Sequence, residues 1–124
     1  MSGFDFADWS KQLTGFLGNG AAVMIQQESK ELKYDKQKHS KRIDIIIEKW
    51  DVLQSIIREE LPDAEFIRNM LVDADMPVEC ESIGVKKELL PMTFKATKDI
   101  RDKYVLSRLA WDLGIIDELA EKLD

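Results

Sequence analysis

Apolar residues recur at spacings of three and four along almost the whole chain, the period of an amphipathic helix. Phe6, Trp9, Leu13, Phe16 and Leu17 open the pattern, and Asp5 stands where an N-cap belongs. "GNG" at Gly18–Gly20 ends that helix, and "AAVMIQQESKELKY" predicts a second one ending near Tyr34. Asp35 is placed to cap the longest helix, from about Lys36 to Glu60, where Pro62 forces the chain out of helical geometry. Asp63 then caps a short helix carrying Phe66, Ile67, Met70 and Leu71. "DMPVECESIGV" reads as a loop, and Lys86–Thr97 as a fifth helix with Pro91 confined to its first turn. "VLSRLAWDL" forms the next helix, Gly114 sits at a C-cap position, and Asp117 can start a final turn or two.

"IDIII" at Ile43–Ile47 is β-branched, yet its continuation is helical. Ile43, Ile46, Ile47, Trp50, Leu53 and Ile57 keep one face, so no strand is expected there. Ile45, Val52 and Ile56 fall on nearly the opposite side. Near the end of the chain, Leu106, Leu109, Ala110 and Leu113 make one face while Tyr104 and Trp111 share another. Helices apolar on two sides pack between layers or against a partner. The expectation is one all-α domain over residues 1–124, a bundle of about six helices with a tendency to associate into a homo-oligomer.

Composition changes this picture little. Of the 124 residues, 44% are hydrophobic and 34% charged, an ordinary globular balance. No run is apolar enough to span a bilayer, and Asp5 and Asp8 stand where a signal peptide would carry basic residues, so a cytoplasmic protein is expected. A net charge of −6 argues against binding nucleic acid or an anionic membrane. The stretch Glu28–Arg42 is locally basic, with six Lys or Arg against three acids. Only Tyr34 interleaves it, so it reads as a solvated helix junction.

Catalytic chemistry finds few candidates. Gly15, Gly18 and Gly20 follow no strand and so do not make a dinucleotide-binding turn. The only histidine, His39, lies among Lys36, Lys38, Lys41 and Arg42, where a bound cation is disfavoured; an exposed first-turn position is expected. Cys80 is flanked by Glu79 and Glu81, which disfavour its thiolate. Arg101 and Asp102 beside Tyr104 suit a structural ion pair as well as a site.

The stretch "IRDKYVLSRLAWDLGIIDELA", Ile100–Ala120, resembles the C-terminus of bacterial sn-glycerol-1-phosphate dehydrogenases, members of the iron-containing alcohol dehydrogenase and dehydroquinate synthase-like superfamily. "FDFADWSKQLTGFLG", "KYDKQKHSKRIDIIIEKWD" and "IGVKKELLPMTFKATKDIRDKY" agree in the same order. The resemblance implies an enzyme considerably longer than this chain. Its N-terminal α/β domain binds NAD(P) through a glycine-rich loop. Its all-helical second domain holds a divalent metal, zinc or nickel, by one aspartate and two histidines. This chain matches only the part after those ligands. His39 falls in a "KHxxRI"-like stretch that is not a metal motif, so no catalytic, cofactor-binding or metal residue carries over and no cofactor is expected for this chain alone. Tyr104, Trp111 and Asp112 carry the resemblance as helix-packing residues. The implied role is scaffold or subunit contact, with the missing N-terminal part or a second copy as partner. The rival expectation is a stand-alone helical interaction module.

Overall fold

A computed structural model describes residues 4–123; Met1–Gly3, the start of the N-terminal stretch read above, and Asp124 lie outside it. The described chain is all-helical and contains no strand. Its α-helices are α1 (Phe6–Leu17), α2 (Ala21–Glu31), α3 (Lys36–Glu48), α4 (Trp50–Glu60), α5 (Ala64–Asp73), α6 (Leu90–Thr97), α7 (Leu106–Asp112) and α8 (Ile116–Glu121). Short 3-10 turns at Gly18–Gly20, Cys80–Ile83 and Lys87–Leu89 join them.

The caps lie where local chemistry requires them. Asp5 accepts from the amides of Ala7 and Asp8, Asp35 from that of Lys38, and Asp63 from that of Phe66. Each satisfies helix-start donors that have no partner within the helix. Pro91 occupies the first turn of α6, where its missing N–H costs nothing. Leu61, before Pro62, is extended and closes α4. Gly114 takes φ 76°, and the amide of Ile115 donates back to the carbonyl of Ala110, a left-handed stop after α7.

Four expectations need correction. The helix from Lys36 to Glu60 is not continuous: Lys49 leaves helical geometry (φ −105°, ψ 15°) and separates α3 from α4. Three successive isoleucines, Ile45–Ile47, lead into this break, and β-branched side chains crowd the preceding turn. Helix α2 stops at Glu31 rather than near Tyr34, with Leu32 left-handed (φ 53°), because the Tyr34 ring turns inward to stack on Phe4 at 4.4 Å. On the main stripe of α3 and α4 only Ile46 is buried, and Ile47 is 70% exposed. The leucine face near the C-terminus is also only partly internal. Leu109 and Ala110 are buried, but Leu106 and Leu113 are exposed, while Ser107, Arg108 and Asp112 are inside.

The core sits in a body made by α1, α2, α6, α7 and α8, with α3 laid against α7. Trp9 and Leu13 of α1, Ala21 and Met24 of α2 and Ala96 of α6 form its apolar centre, with Phe4, Phe6, Tyr34 and Met92 packed around it. Helices α4 and α5 bury no residue at all. They form a limb whose exposed side chains include Val52, Ile56, Phe66, Ile67, Met70 and Val72. The chain exposes 9037 Å², against about 6,800 Å² for a compact monomer of this size.

Candidate functional site: a buried charge network

The densest chemistry lies inside the body. Helix α2 brings Ala21, Met24 and Glu28 to one face at spacings of three and four, so a glutamate occupies a core position. The segment after α6 adds Lys98 and Asp99, and α7 adds Arg108 from within "LSRLAWD". All four of these charged residues are at most 2% exposed.

Asp99 is the hub. Its carboxylate accepts from Trp9 Nε1 at 2.6 Å, from the Tyr34 hydroxyl at 2.8 and 2.9 Å, and from Arg108 Nη2, and it pairs with Lys98 Nζ at 3.3 Å. Arg108 Nη2 also donates to Glu28 Oε2 at 3.1 Å and to the Lys98 carbonyl at 3.2 Å. Glu28 Oε1 accepts from Lys33 Nζ at 2.8 Å. Arg108 Nε and Nη1 have no hydrogen-bond acceptor. The guanidinium instead lies 4.7 Å from the Tyr34 ring centre and 5.4 Å from that of Trp111, so π-faces receive the remaining cationic edge. Lys98 Nζ sits 3.3 Å from the Trp9 ring centre and donates to the Lys95 carbonyl.

Burial sets the electrostatics of these groups. Desolvation raises the Glu28 carboxyl above its ordinary value, partly offset by Lys33 and Arg108. Desolvation pushes the Lys98 amine down to about 8, with Asp99 acting in the opposite direction. The Tyr34 hydroxyl is pushed far up by burial and by the Asp99 charge.

A second network lies one turn along α7. Buried Asp112 takes a two-pronged contact from Arg42, Nε at 3.0 Å and Nη2 at 2.9 Å, and a bond from the Tyr104 hydroxyl at 2.7 Å. Arg42 Nη2 also donates to the Lys33 carbonyl at 2.8 Å, which ties the α2–α3 turn to α7. His39 lies half-buried, its Nε2 3.4 Å from Asp112 and its ring edge-on to Trp111, so the exposed position expected for it is not observed. Trp111 and Asp112 of α7 meet Tyr34, His39 and Arg42, whereas Tyr104 lies outside any helix, is mostly exposed and reaches Asp112 only through its hydroxyl. Arg101 and Asp102 are exposed, and Arg101 contributes its carbonyl to Lys33 at 2.9 Å. The lysines and arginine of the Glu28–Arg42 stretch are solvated except Lys33 and Arg42, which turn inward along with Glu28, Tyr34 and His39. Cys80 donates its thiol to Glu81 at 3.1 Å, which holds its pKa above the usual thiol range.

No family model matches the chain, and no curated protein or solved structure matches it. The functional argument therefore rests on residues. Both carboxylates of the inner network are fully engaged, which leaves neither free to serve as a general base. Among the described residues no group of three or more His, Cys, Asp or Glu side chains converges to hold a metal. No strand feeds Gly18 or Gly20, so these residues do not form a pyrophosphate cradle. No helix among the described residues is long and apolar enough to cross a membrane. Beside Lys98 lies an open cavity of about 260 Å³; of its three acids Asp5 caps α1, and Asp8 and Asp117 are paired with Lys11 and Lys95 at 3.1 and 3.2 Å.

Sequence reasoning missed the inner network. Two signals for it were present: Glu28 on the apolar face of α2, and Arg108 amid the leucines of α7. Its partners Asp99 and Trp9 are 90 residues apart, a pairing that periodicity cannot supply.

Proposed function

We propose that the chain is a non-catalytic helical segment of a cytoplasmic NAD(P)-dependent glycerol-1-phosphate dehydrogenase, the enzyme class that transfers hydride between NAD(P)H and dihydroxyacetone phosphate. Its role is scaffold and contact surface. The support in sequence is the ordered run of four similar stretches, ending in Ile100–Ala120. The support in structure is the limb. Helices α4 and α5 bury nothing, and the chain carries about 2,200 Å² more surface than a compact monomer of its size. The exposed apolar side chains of the limb, Val52, Ile56, Phe66 and Met70 among them, suit contact with another protein surface. The body behind it is held by buried ion pairs that link α2, the segment after α6, and α7.

Calorimetric titration with NADH and with zinc or nickel tests the non-catalytic assignment. No binding tighter than about 10 μM, near −7 kcal/mol, is expected for the chain alone. Stoichiometric binding below that concentration would overturn it. The limb equally supports a stand-alone helical interaction module. The two readings separate on the neighbouring reading frame: a glycine-rich loop and paired histidines encoded there favour the dehydrogenase.

A further inference from the structure

A cavity of about 90 Å³ lies where the α2–α3 turn, α3, the segment before α7 and α7 itself meet, lined by Lys33, Arg42, Asp102, Lys103, Tyr104 and Arg108. Four cations and one acid leave this lining a net formal charge of +3. The carboxylates that pair with Lys33, Arg42 and Arg108, those of Glu28, Asp112 and Asp99, are buried and do not line it. Across the two networks, Lys33, Arg42, Lys98 and Arg108 outnumber Glu28, Asp99 and Asp112 by four to three. Arg108 is the enclosed member of the lining, 2% exposed, and its Nε and Nη1 have no acceptor. The rings of Tyr34 and Trp111 face its charge but take no hydrogen bond from these two nitrogens. Enclosed N–H groups without an acceptor are rare in folded proteins, and a bound ion is one way they are satisfied. Arg42 uses Nε and Nη2 on Asp112 and the Lys33 carbonyl, and its Nη1 makes no hydrogen bond among the described residues. Lys103 is exposed and has no ion-pair partner among them.

We propose that this cavity is an oxyanion site that takes a phosphate group, free or as the terminal group of a small ester, between Arg108, Arg42 and Lys103. The volume fits. A single water needs about 10–15 Å³ of such space, so about 90 Å³ admits one tetrahedral oxyanion and is too small to enclose a nucleotide. The donors fit as well, because a guanidinium presents its N–H groups in a planar fork that matches phosphate oxygens. Arg108, being enclosed, forms the inner end of the cavity, and exposed Lys103 and Asp102 form its mouth. Glu28, Asp99 and the Lys98 carbonyl all bind Arg108 through Nη2, so the anion does not compete with them for donors. It gives Nε and Nη1 the acceptor they lack and balances the surplus cation of the two networks. Asp102 is the one opposing charge in the lining, and its exposure to water at the mouth screens it.

The test is NMR of the arginine Nε–H signals on the full chain, titrated with inorganic phosphate while sodium chloride holds the ionic strength constant. The Arg108 signal is expected to move and saturate with a Kd of about 1 mM or tighter. Lys103→Ala removes an exposed ammonium that makes no hydrogen bond among the described residues. It should therefore keep the helical circular dichroism and weaken phosphate binding about threefold or more. Asp102→Asn, also at an exposed position, should tighten it. Methyl phosphate, titrated alongside, separates the two sources: binding at least as tight as that of phosphate assigns the site to an ester, and weaker binding assigns it to the free ion. The proposal is overturned by a failure to saturate up to about 20 mM phosphate, by an equal response to added chloride, or by an affinity that neither variant changes.

Discussion

Replacing Asp99 with Asn keeps shape and removes charge at the hub of the network. The side chain is completely buried and serves Trp9, Tyr34, Arg108 and Lys98 at once. In Asp99→Asn, Arg108 and Lys98 remain enclosed with Glu28 as their only buried carboxylate within reach, and Glu28 is shared with Lys33. Breaking a buried pair by removing one partner costs about 3–5 kcal/mol, because the orphaned charge stays desolvated. That is a large part of the 5–15 kcal/mol typical of a domain. With a urea slope of about 1.5 kcal/mol per M, the midpoint should fall by about 2–3 M. Urea titration followed by circular dichroism measures this directly. Asp8→Asn opens a pair with Lys11 that is mostly exposed to water, so it serves as the control and should barely move the midpoint. If Asp99→Asn shifts the midpoint no more than Asp8→Asn does, the network is not what holds α1, α2, α6 and α7 together. A double variant adding Arg108→Met should recover part of the loss, because the stranded cation is then gone.

Two further outcomes follow from the same interior. Lys98, with an amine pulled from an ordinary 10.5 to about 8, binds its proton less readily folded than unfolded, so stability should rise with pH across that window. Tyr34 and Tyr104 are pushed up by burial and keep protons that the unfolded chain sheds near pH 10, so stability should fall again above it. Lys98→Met should abolish the rise and keep the fall; an unchanged rise would show that another group titrates there. Gly114→Ala should cost about 1–2 kcal/mol from the left-handed backbone alone, since a Cβ there would meet no atom within 4 Å. Gly20→Ala, at φ −64°, should be neutral or slightly stabilising in the same thermal melt.

Helix positions were legible because their signals are local. Asp5, Asp35 and Asp63 as caps, Pro91 in a first turn and Gly114 as a stop each depend on neighbours within a few residues. The errors arose where distant residues decide the outcome. Helix α2 ends early because Tyr34 is drawn toward Asp99, 65 residues away. His39 is drawn in by Asp112, 73 residues away. The apolar stripes on the long helix were real, but periodicity states only that a face is apolar. It does not say whether the same chain covers it, and here Ile45, Ile47, Val52 and Ile56 stay open. The break at Lys49 also escaped, since lysine is a good helix former and the isoleucines before it were read only as helical faces.

The most direct test of the functional account is the reduction of dihydroxyacetone phosphate by NAD(P)H, measured on the purified chain and on the material it brings down when tagged in its native cell. The account predicts no turnover by the chain alone and turnover in the co-purified assembly, lost when Ile56 and Phe66 on the limb are replaced by Lys. Turnover by the chain alone, or an assembly without that activity, would contradict it.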